Sequence, residues 1–159
     1  MVEASRPLSD KQIKGLNSKP VALGIKWMSR AQTWLFKKSN GRIGDKFLRG
    51  SEVGILTTTG RKSGEPRDVP LLFLQEDQRI VLVASQGGRD THPMWYLNIK
   101  ADAKVAFQTK RETLSLIARE ATDDERDHYW PKLDAMYPDY ANYRSYTSRK
   151  IPIIICDPA

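Results

Sequence analysis

Apolar positions follow helical spacing near the start of the chain and spacing two after it. Residues 1–19 are polar and read as a loose, flexible arm. Pro20 then opens a helix to about Lys38, and Asn40-Gly41 ends it. Val21, Ile25, Met28 and Leu35 form a stripe on it, flanked by Trp27, Ala31 and Trp34, while Lys26, Arg30 and Lys37 share the other side. From residue 52 the period becomes two. Val53, Ile55 and Thr57 alternate on one strand, and Val69, Leu71 and Phe73 on the next. The run Arg79–Ala84 is apolar after its first residue and predicts a strand covered on both faces, broken at Gly87-Gly88. A short helix over 93–100 and two strands over 104–109 and 112–119 come next. Thr122-Asp123-Asp124-Glu125 is a capping box that starts another helix. A tyrosine-rich segment follows Pro138. The last strand is Ile151-Pro152-Ile153-Ile154-Ile155, whose proline suggests an edge.

Six strands, mostly in hairpins, predict a mainly β chain with helices: a small six-stranded antiparallel barrel under helical covers, one domain over 20–159. A doubly wound parallel sheet needs a helix between successive strands, and three strands here run without one.

The charge is lopsided, with 26 Lys and Arg against 19 Asp and Glu, net +7. That excess suits an anionic ligand, an acidic membrane surface or nucleic acid. The acidic run Asp123-Asp124-Glu125 interrupts any basic stripe and argues against nucleic acid. A lone cysteine, Cys156, excludes an internal disulfide and makes a reducing cytoplasm the default. With only His92 and His128 and no ligand spacing, no metal site is expected. Neither a secretory signal nor an apolar run of roughly 18 residues is present, so the expectation is a soluble protein or one lying on a membrane surface. The helix over 20–38 fits the second case, because tryptophans beside an apolar stripe, opposed by cations, suit a bilayer interface. The competing expectation is a helix that caps the barrel with its tryptophans buried.

The segment Thr57-Thr58-Thr59-Gly60-Arg61-Lys62-Ser63-Gly64-Glu65-Pro66-Arg67 carries the most chemistry. It reads as a hairpin whose tip holds two arginines, a lysine and a hydroxyl. Turn geometry needs none of these cations. Like charges crowded on one loop repel unless an anion neutralises them, and guanidinium forks with exposed turn N–H groups suit phosphate or carboxylate. The bland alternative is a solvated basic turn. Gly60-Arg61-Lys62-Ser63 is not a nucleotide-binding Walker loop, since Pro66 stands where its helix would start.

With these motifs in order, the chain resembles the deazaflavin-dependent nitroreductase family of actinobacteria, near its mycobacterial branch that reduces quinones and activates nitroimidazoles. The likeness runs through the hairpin, Ala84-Ser85-Gln86-Gly87-Gly88, Pro93-Met94-Trp95-Tyr96-Leu97-Asn98, Tyr129-Trp130-Pro131, Met136-Tyr137-Pro138 and Ile151-Pro152-Ile153. It covers about residues 25–158. The resemblance implies a split β-barrel that binds coenzyme F-420, an 8-hydroxy-5-deazaflavin with a phosphate and an oligoglutamate tail. It also implies hydride transfer to a menaquinone-like quinone, with nitroimidazoles as adventitious acceptors. A polyanionic tail would account for the cationic hairpin.

By position, the resemblance assigns Arg61, Lys62, Ser63 and Arg67 to the phosphate and tail. Val69, Pro70, Leu71 and Leu72 would line the deazaflavin. Ala84, Ser85, Gln86 and Gly87 would pass beneath it, and Met94, Trp95 and Asn98 would meet it from the short helix. Trp27, Tyr137, Tyr143 and Tyr146 would wall the acceptor side, and Tyr140 would reach both coenzyme and acceptor. Tyr137, Tyr140, Tyr143 and Ser85 make up the catalytic set. Three positions depart from the pattern: Gln86 stands for a lysine, Leu72 for a tyrosine and Tyr146 for a tryptophan. The first removes an anion contact, and the others put the range of acceptors in question.

The tyrosines make sense without the resemblance. Tyr137, Tyr140 and Tyr143 are three apart, so on a helix they approach one another. A phenol with an ordinary pKa of about 10 stays protonated at neutral pH and can donate to developing negative charge. The alternative is an aromatic wall with no acid role. Against the enzyme stand a non-catalytic deazaflavin or tetrapyrrole carrier and a basic nucleic-acid-binding barrel. The native quinone, the length of the tail and the oligomeric state are not legible in the sequence.

Overall fold

The computed structural model describes residues 3–44 and 50–159. Its elements are α1 (Asp10–Leu16), α2 (Lys19–Lys38), β1 (Val53–Thr59), β2 (Pro66–Leu72), β3 (Leu74–Glu76), β4 (Arg79–Val83), α3 (Met94–Ala101), β5 (Lys104–Gln108), β6 (Thr113–Glu120), α4 (Asp123–Met136), α5 (Asp139–Ser145) and β7 (Ile153–Pro158). The strands form one antiparallel sheet in the order β2-β1-β5-β6-β7-β4-β3.

Seven strands, not six, are present among the described residues. The extra one arises at Phe73, where the predicted second strand divides. β2 ends one edge of the sheet and β3, one residue later, ends the other. The chain can make that step only because the sheet curls until its edges approach. No ladder joins β2 to β3 among the described residues, so the curled sheet is not closed. Phe73 is buried at the bend, its ring edge-on to Phe107 with centroids 5.0 Å apart. Phe107 in turn needs the bare backbone of Gly54, where a Cβ would fall 2.3 Å from its ring.

The final strand also differs from expectation. β7 is not an edge: it pairs with β6 on one side and β4 on the other. Pro152 precedes the strand, so its missing N–H costs no ladder bond, and its carbonyl accepts from Ala84 N–H at 2.9 Å. β4 is covered on both faces, as its unbroken apolar run predicts. Ile80 and Leu82 enter a core with Leu56, Phe107, Leu116 and Ile154. Val81 and Val83 enter a second core with Tyr129, Leu133, Tyr137 and Tyr140 beneath α4 and α5. Each such side chain contributes about 1.5–3 kcal/mol by leaving water.

The capping box forms as read. Thr122 Oγ1 accepts from Glu125 N–H, and Glu125 accepts from Thr122 N–H. Arg119 holds the same carboxylate through two bonds of 2.8 Å, which pushes Glu125 down to about 2. The opening stretch, expected to be loose, carries α1 over Asp10–Leu16. Around that helix Ser5 donates to Asp139, Leu8 N–H to Tyr146 Oη (3.0 Å), and Asn17 Nδ2 to Asp90 (3.0 Å). Residues 1 and 2 lie outside the described residues.

Candidate active site

Strands β1 and β2 pair from Val53↔Leu72 to Thr59↔Pro66 and leave Gly60–Glu65 as the hairpin tip. Gly60 N–H donates to Glu65 O (2.8 Å) and Gly64 N–H to Gly60 O (2.7 Å). Ser63 Oγ accepts from Glu65 N–H (3.2 Å) and from Arg67 Nη2 (3.1 Å), so the hydroxyl shapes the tip. Arg61, Lys62 and Arg67 are exposed, and no carboxylate pairs with them among the described residues. The nearby acid Asp68 is engaged elsewhere, by Lys37 of α2 and by Thr57 Oγ1 at 2.6 Å. Three unpaired cations therefore face solvent together.

Asn98 ties this tip to α3. Its Oδ1 accepts from Arg61 N–H (3.1 Å) and its Nδ2 donates to Thr58 Oγ1 (3.1 Å), with Asn98 and Thr58 both buried. At the other end of α3, Met94 is 60% exposed while Trp95 is buried. One helical turn, about 6 Å of axis, separates these two ends. Val69, Pro70, Leu71 and Leu72 are half-buried along β2.

Between β4 and α3 the chain turns sharply. Gln86, Gly87 and Gly88 take φ values of 47°, 64° and 80°, three left-handed residues in succession. Gly88 N–H donates to Ser85 O (3.0 Å) and Arg89 N–H to Gln86 O (3.3 Å). No hydrogen bond from the N–H groups of Ser85, Gln86 or Gly87 occurs among the described residues, which leaves these donors available. Gln86, with its amide oriented to suit its neighbours, donates to Thr91 O (2.9 Å) and His92 O (3.0 Å) and accepts from Arg89 Nη1 (2.9 Å). Its side chain thus braces its own loop.

The tyrosines meet, though not on one helix as expected: Tyr140 and Tyr143 lie on α5, and Tyr137 is the extended residue that follows α4. Tyr137 and Tyr143 share a hydrogen bond of 3.2 Å between hydroxyls, and the Tyr137–Tyr140 centroids lie 5.1 Å apart. Tyr143 faces Tyr140 at 6.2 Å and Tyr146 at 6.3 Å. Burial first, then the neighbouring Tyr143, raises the Tyr140 hydroxyl well above the ordinary phenol value, so it stays protonated. Burial and the bond to Tyr137 raise Tyr143 likewise. The wall abuts the left-handed turn directly, since Gly88 lies against the backbone of Tyr143. Ser85, 8% exposed, sits at the base of that turn.

Trp27 stands apart. It is 61% exposed on α2 and has no ring contact with the tyrosines among the described residues. Trp34 is 58% exposed, and Leu23, Met28 and Leu35 are exposed with them. α2 turns Ala22, Ser29, Thr33 and Phe36 inward instead. A barrel cap with buried tryptophans is therefore not what forms. The cations lie beside the apolar face, with Arg30 over Trp27 at 5.7 Å and Lys38 over Trp34 at 4.6 Å. No described helix is long and apolar enough to cross a membrane.

Comparison with known proteins places the chain in a family. The family model for F420H(2)-dependent quinone reductase matches residues 27–158. The chain belongs to that family. It is 30% identical to an F420H(2)-dependent quinone reductase of Mycobacterium tuberculosis over 124 residues, which are 76% of this chain and 83% of the relative. A solved F420-H2 dependent reductase (FDR-A) is 42% identical with a TM-score of 0.62, covering 66% of this chain and 93% of its own. A second solved chain, described as a domain-swapped dimer, is 38% identical with a TM-score of 0.65, covering 83% of this chain and 98% of its own. As a member of this family the protein is an oxidoreductase, its cofactor is coenzyme F-420, and the curled sheet is of the split-barrel kind.

Sequence reasoning missed Arg149, whose guanidinium reaches Ala84 O, Ser85 O, Arg89 O and the His92 ring. A lone cation in the loop Thr147-Ser148-Arg149-Lys150 looks solvated, and nothing local marks it. Thr58 escaped notice for a similar reason, as one of three threonines on a strand.

Proposed function

We propose that this chain passes hydride from reduced coenzyme F-420 to a quinone of the menaquinone kind. The observation that carries this is the hairpin tip: Arg61, Lys62 and Arg67 gather without a carboxylate partner among the described residues, tied through Asn98 to α3, the helix that follows the turn whose N–H groups are left available. A ligand with a polyanionic end and a flat polar ring fits both at once. The coenzyme supplies the hydride when bound; the protein binds, orients and keeps water out.

The chain's own residues then take distinct roles. Arg61, Lys62 and Arg67 hold the phosphate and tail, with Ser63 keeping the tip in shape. Half-buried Val69, Pro70, Leu71 and Leu72 pack along the ring, with Met94 and Trp95 at its far end. The N–H groups of Ser85, Gln86 and Gly87 meet ring heteroatoms. Asn98 contributes by fixing Arg61 and so the tip. Tyr140, kept protonated by burial, donates toward charge developing on the acceptor, and Tyr137, Tyr143 and Tyr146 wall that side. Leu72 and Tyr146 set the acceptor range, including any side activity on nitroimidazoles.

The exposed apolar face of α2 supports peripheral attachment to an anionic membrane, on the cytoplasmic face of the bilayer where a water-insoluble quinone resides. Trp27 would then meet the acceptor as it leaves the bilayer. The test is anaerobic mixing of the purified protein with reduced F-420 and menadione, followed by absorbance. Coenzyme oxidation only when all three are present supports the enzyme. A bound chromophore without turnover would leave a carrier instead.

A further inference from the structure

We propose that Arg149 is a positioning residue for the coenzyme: from behind the Ala84–Gly88 turn, it fixes the backbone that presents N–H groups to the ring. This rests on the function proposed above and adds a residue to it. Arg149 follows α5 and precedes β7. Its Nη2 donates to Ser85 O (2.9 Å), its Nη1 to Ala84 O (3.2 Å) and its Nε to Arg89 O (3.1 Å). Nη1 also lies 3.0 Å from His92 Nδ1. An arginine only donates, so Nδ1 must accept and the imidazole proton sits on Nε2. One planar fork thus sets three carbonyls and a ring in fixed relation, which a lysine ammonium cannot match.

Two of the carbonyls it engages, those of Ala84 and Ser85, share peptide units with the unbonded N–H groups of Ser85 and Gln86. Each peptide unit is rigid, so fixing the Ala84 and Ser85 carbonyls aims the N–H groups of Ser85 and Gln86. That matters because the turn is costly to hold. Non-glycine Gln86 has φ 47° and is followed by two more left-handed residues. Gln86 braces the loop from its own side chain, and Arg149 braces it from across the fold. The guanidinium has no carboxylate partner within ion-pair distance among the described residues, and Asp90 is the carboxylate that acts on it from farther off. Its charge therefore remains directed at the turn. Burial lowers its pKa from the usual guanidinium value, yet an arginine stays charged.

The experiment uses Arg149→Ala and Arg149→Lys with two readouts. The first is binding of oxidised F-420 by fluorescence titration. The second is hydrogen exchange of the coenzyme-free protein, followed peptide by peptide. Arg149→Ala is expected to weaken binding about 10-fold or more, the effect of losing charge-assisted hydrogen bonds. Exchange should rise over residues 84–92 and stay unchanged in the sheet. Added guanidinium should restore both at concentrations far below denaturing, and methylammonium should not. Arg149→Lys should fall between, and carries the test alone if the alanine variant does not fold. Wild-type affinity and exchange in the lysine and alanine variants would overturn the proposal. So would a rise in exchange across the whole sheet that guanidinium does not reverse, since Arg149 would then be a general stabiliser. Should wild-type protein fail to bind F-420, the coenzyme assignment fails, while the exchange arm still decides the clamp.

Discussion

Gly88 and Tyr143 touch backbone to backbone: a methyl group on Gly88 would lie 2.8 Å from the Tyr143 carbonyl oxygen. The turn at Gly88 and the helix that carries Tyr140 and Tyr143 therefore pack in direct backbone contact. Gly88 also has φ +80°, where L side chains are strained. Gly88→Ala combines both penalties and should destabilise by about 1–3 kcal/mol, read as a lower urea midpoint. Coenzyme affinity should fall with it. Gly24→Ala is the contrast: it meets open space in the middle of α2, and alanine should stabilise by about 0.5–1 kcal/mol. If the two substitutions behave alike, the contact does not matter.

The cationic tip predicts selectivity among cofactors. F-420 should bind far more tightly than FMN, which has the phosphate but no glutamate tail. Arg61→Ala with Lys62→Ala should cost F-420 about 10-fold per charge, leave FMN less affected, and flatten the salt dependence of binding. Isothermal titration at two ionic strengths measures all three. Stronger binding of FMN would remove the tail from the argument.

Tyr140→Phe keeps the ring in its buried place and deletes only the hydroxyl. Its packing against Trp130 and Tyr137 should persist, so stability and coenzyme affinity should hardly change. Loss of one donor to developing charge should slow coenzyme oxidation roughly 10-fold to a few hundred-fold. Stopped-flow at saturating quinone reads this step. An unchanged rate would reduce the tyrosines to a hydrophobic wall. Tyr143→Phe, which removes the Tyr137 hydrogen bond, should act mainly on quinone affinity.

For α2, sedimentation with anionic liposomes should bring the protein down at low salt and release it at high salt. Lys26→Glu with Arg30→Glu should abolish the effect. Lys37 is left in place because it pairs with Asp68 and docks the helix on β2. Wild-type protein that stays in the supernatant at low salt would rule out attachment through this face.

His92 gives a pH dependence with a definite sign. Burial, then the charges of Arg149 and Lys100, push it below its ordinary 6.5, while Glu120 pulls the other way. The stacked Tyr96, bonded to Glu120, is itself pushed up to about 12 and stays neutral. Because the folded value is depressed, the unfolded chain takes up the proton first as pH falls. The stability contribution is complete above 6.5 and is lost as pH falls through the folded value. Urea midpoints between about pH 7.5 and about pH 5.5 should therefore drop in the wild type and drop less in His92→Gln. Glu125 cannot mimic this, since its window lies between 4.5 and about 2. Equal slopes in the two proteins would remove His92 as the cause.

Local chemistry determined a great deal of this protein. Turn glycines between alternating runs made the hairpin legible, the capping box placed α4, and the unbroken run of β4 revealed burial on both faces. Helical spacing accounts for Tyr140 beside Tyr143 on α5, but Tyr137, extended after α4, joins them only through the fold. Tertiary structure alone decided the rest. Phe73 splits one apolar run between opposite edges of the sheet, because a bend is set by how the sheet curls and not by pattern. Pro152 stands before a central strand, because pairing partners lie far away in sequence. α2 turns its small residues inward and its tryptophans outward, a choice its symmetric pattern of apolar and cationic sides left open. Arg149 belongs with these: its partners lie 57 to 65 positions away, and only the folded chain brings one guanidinium behind the turn it holds.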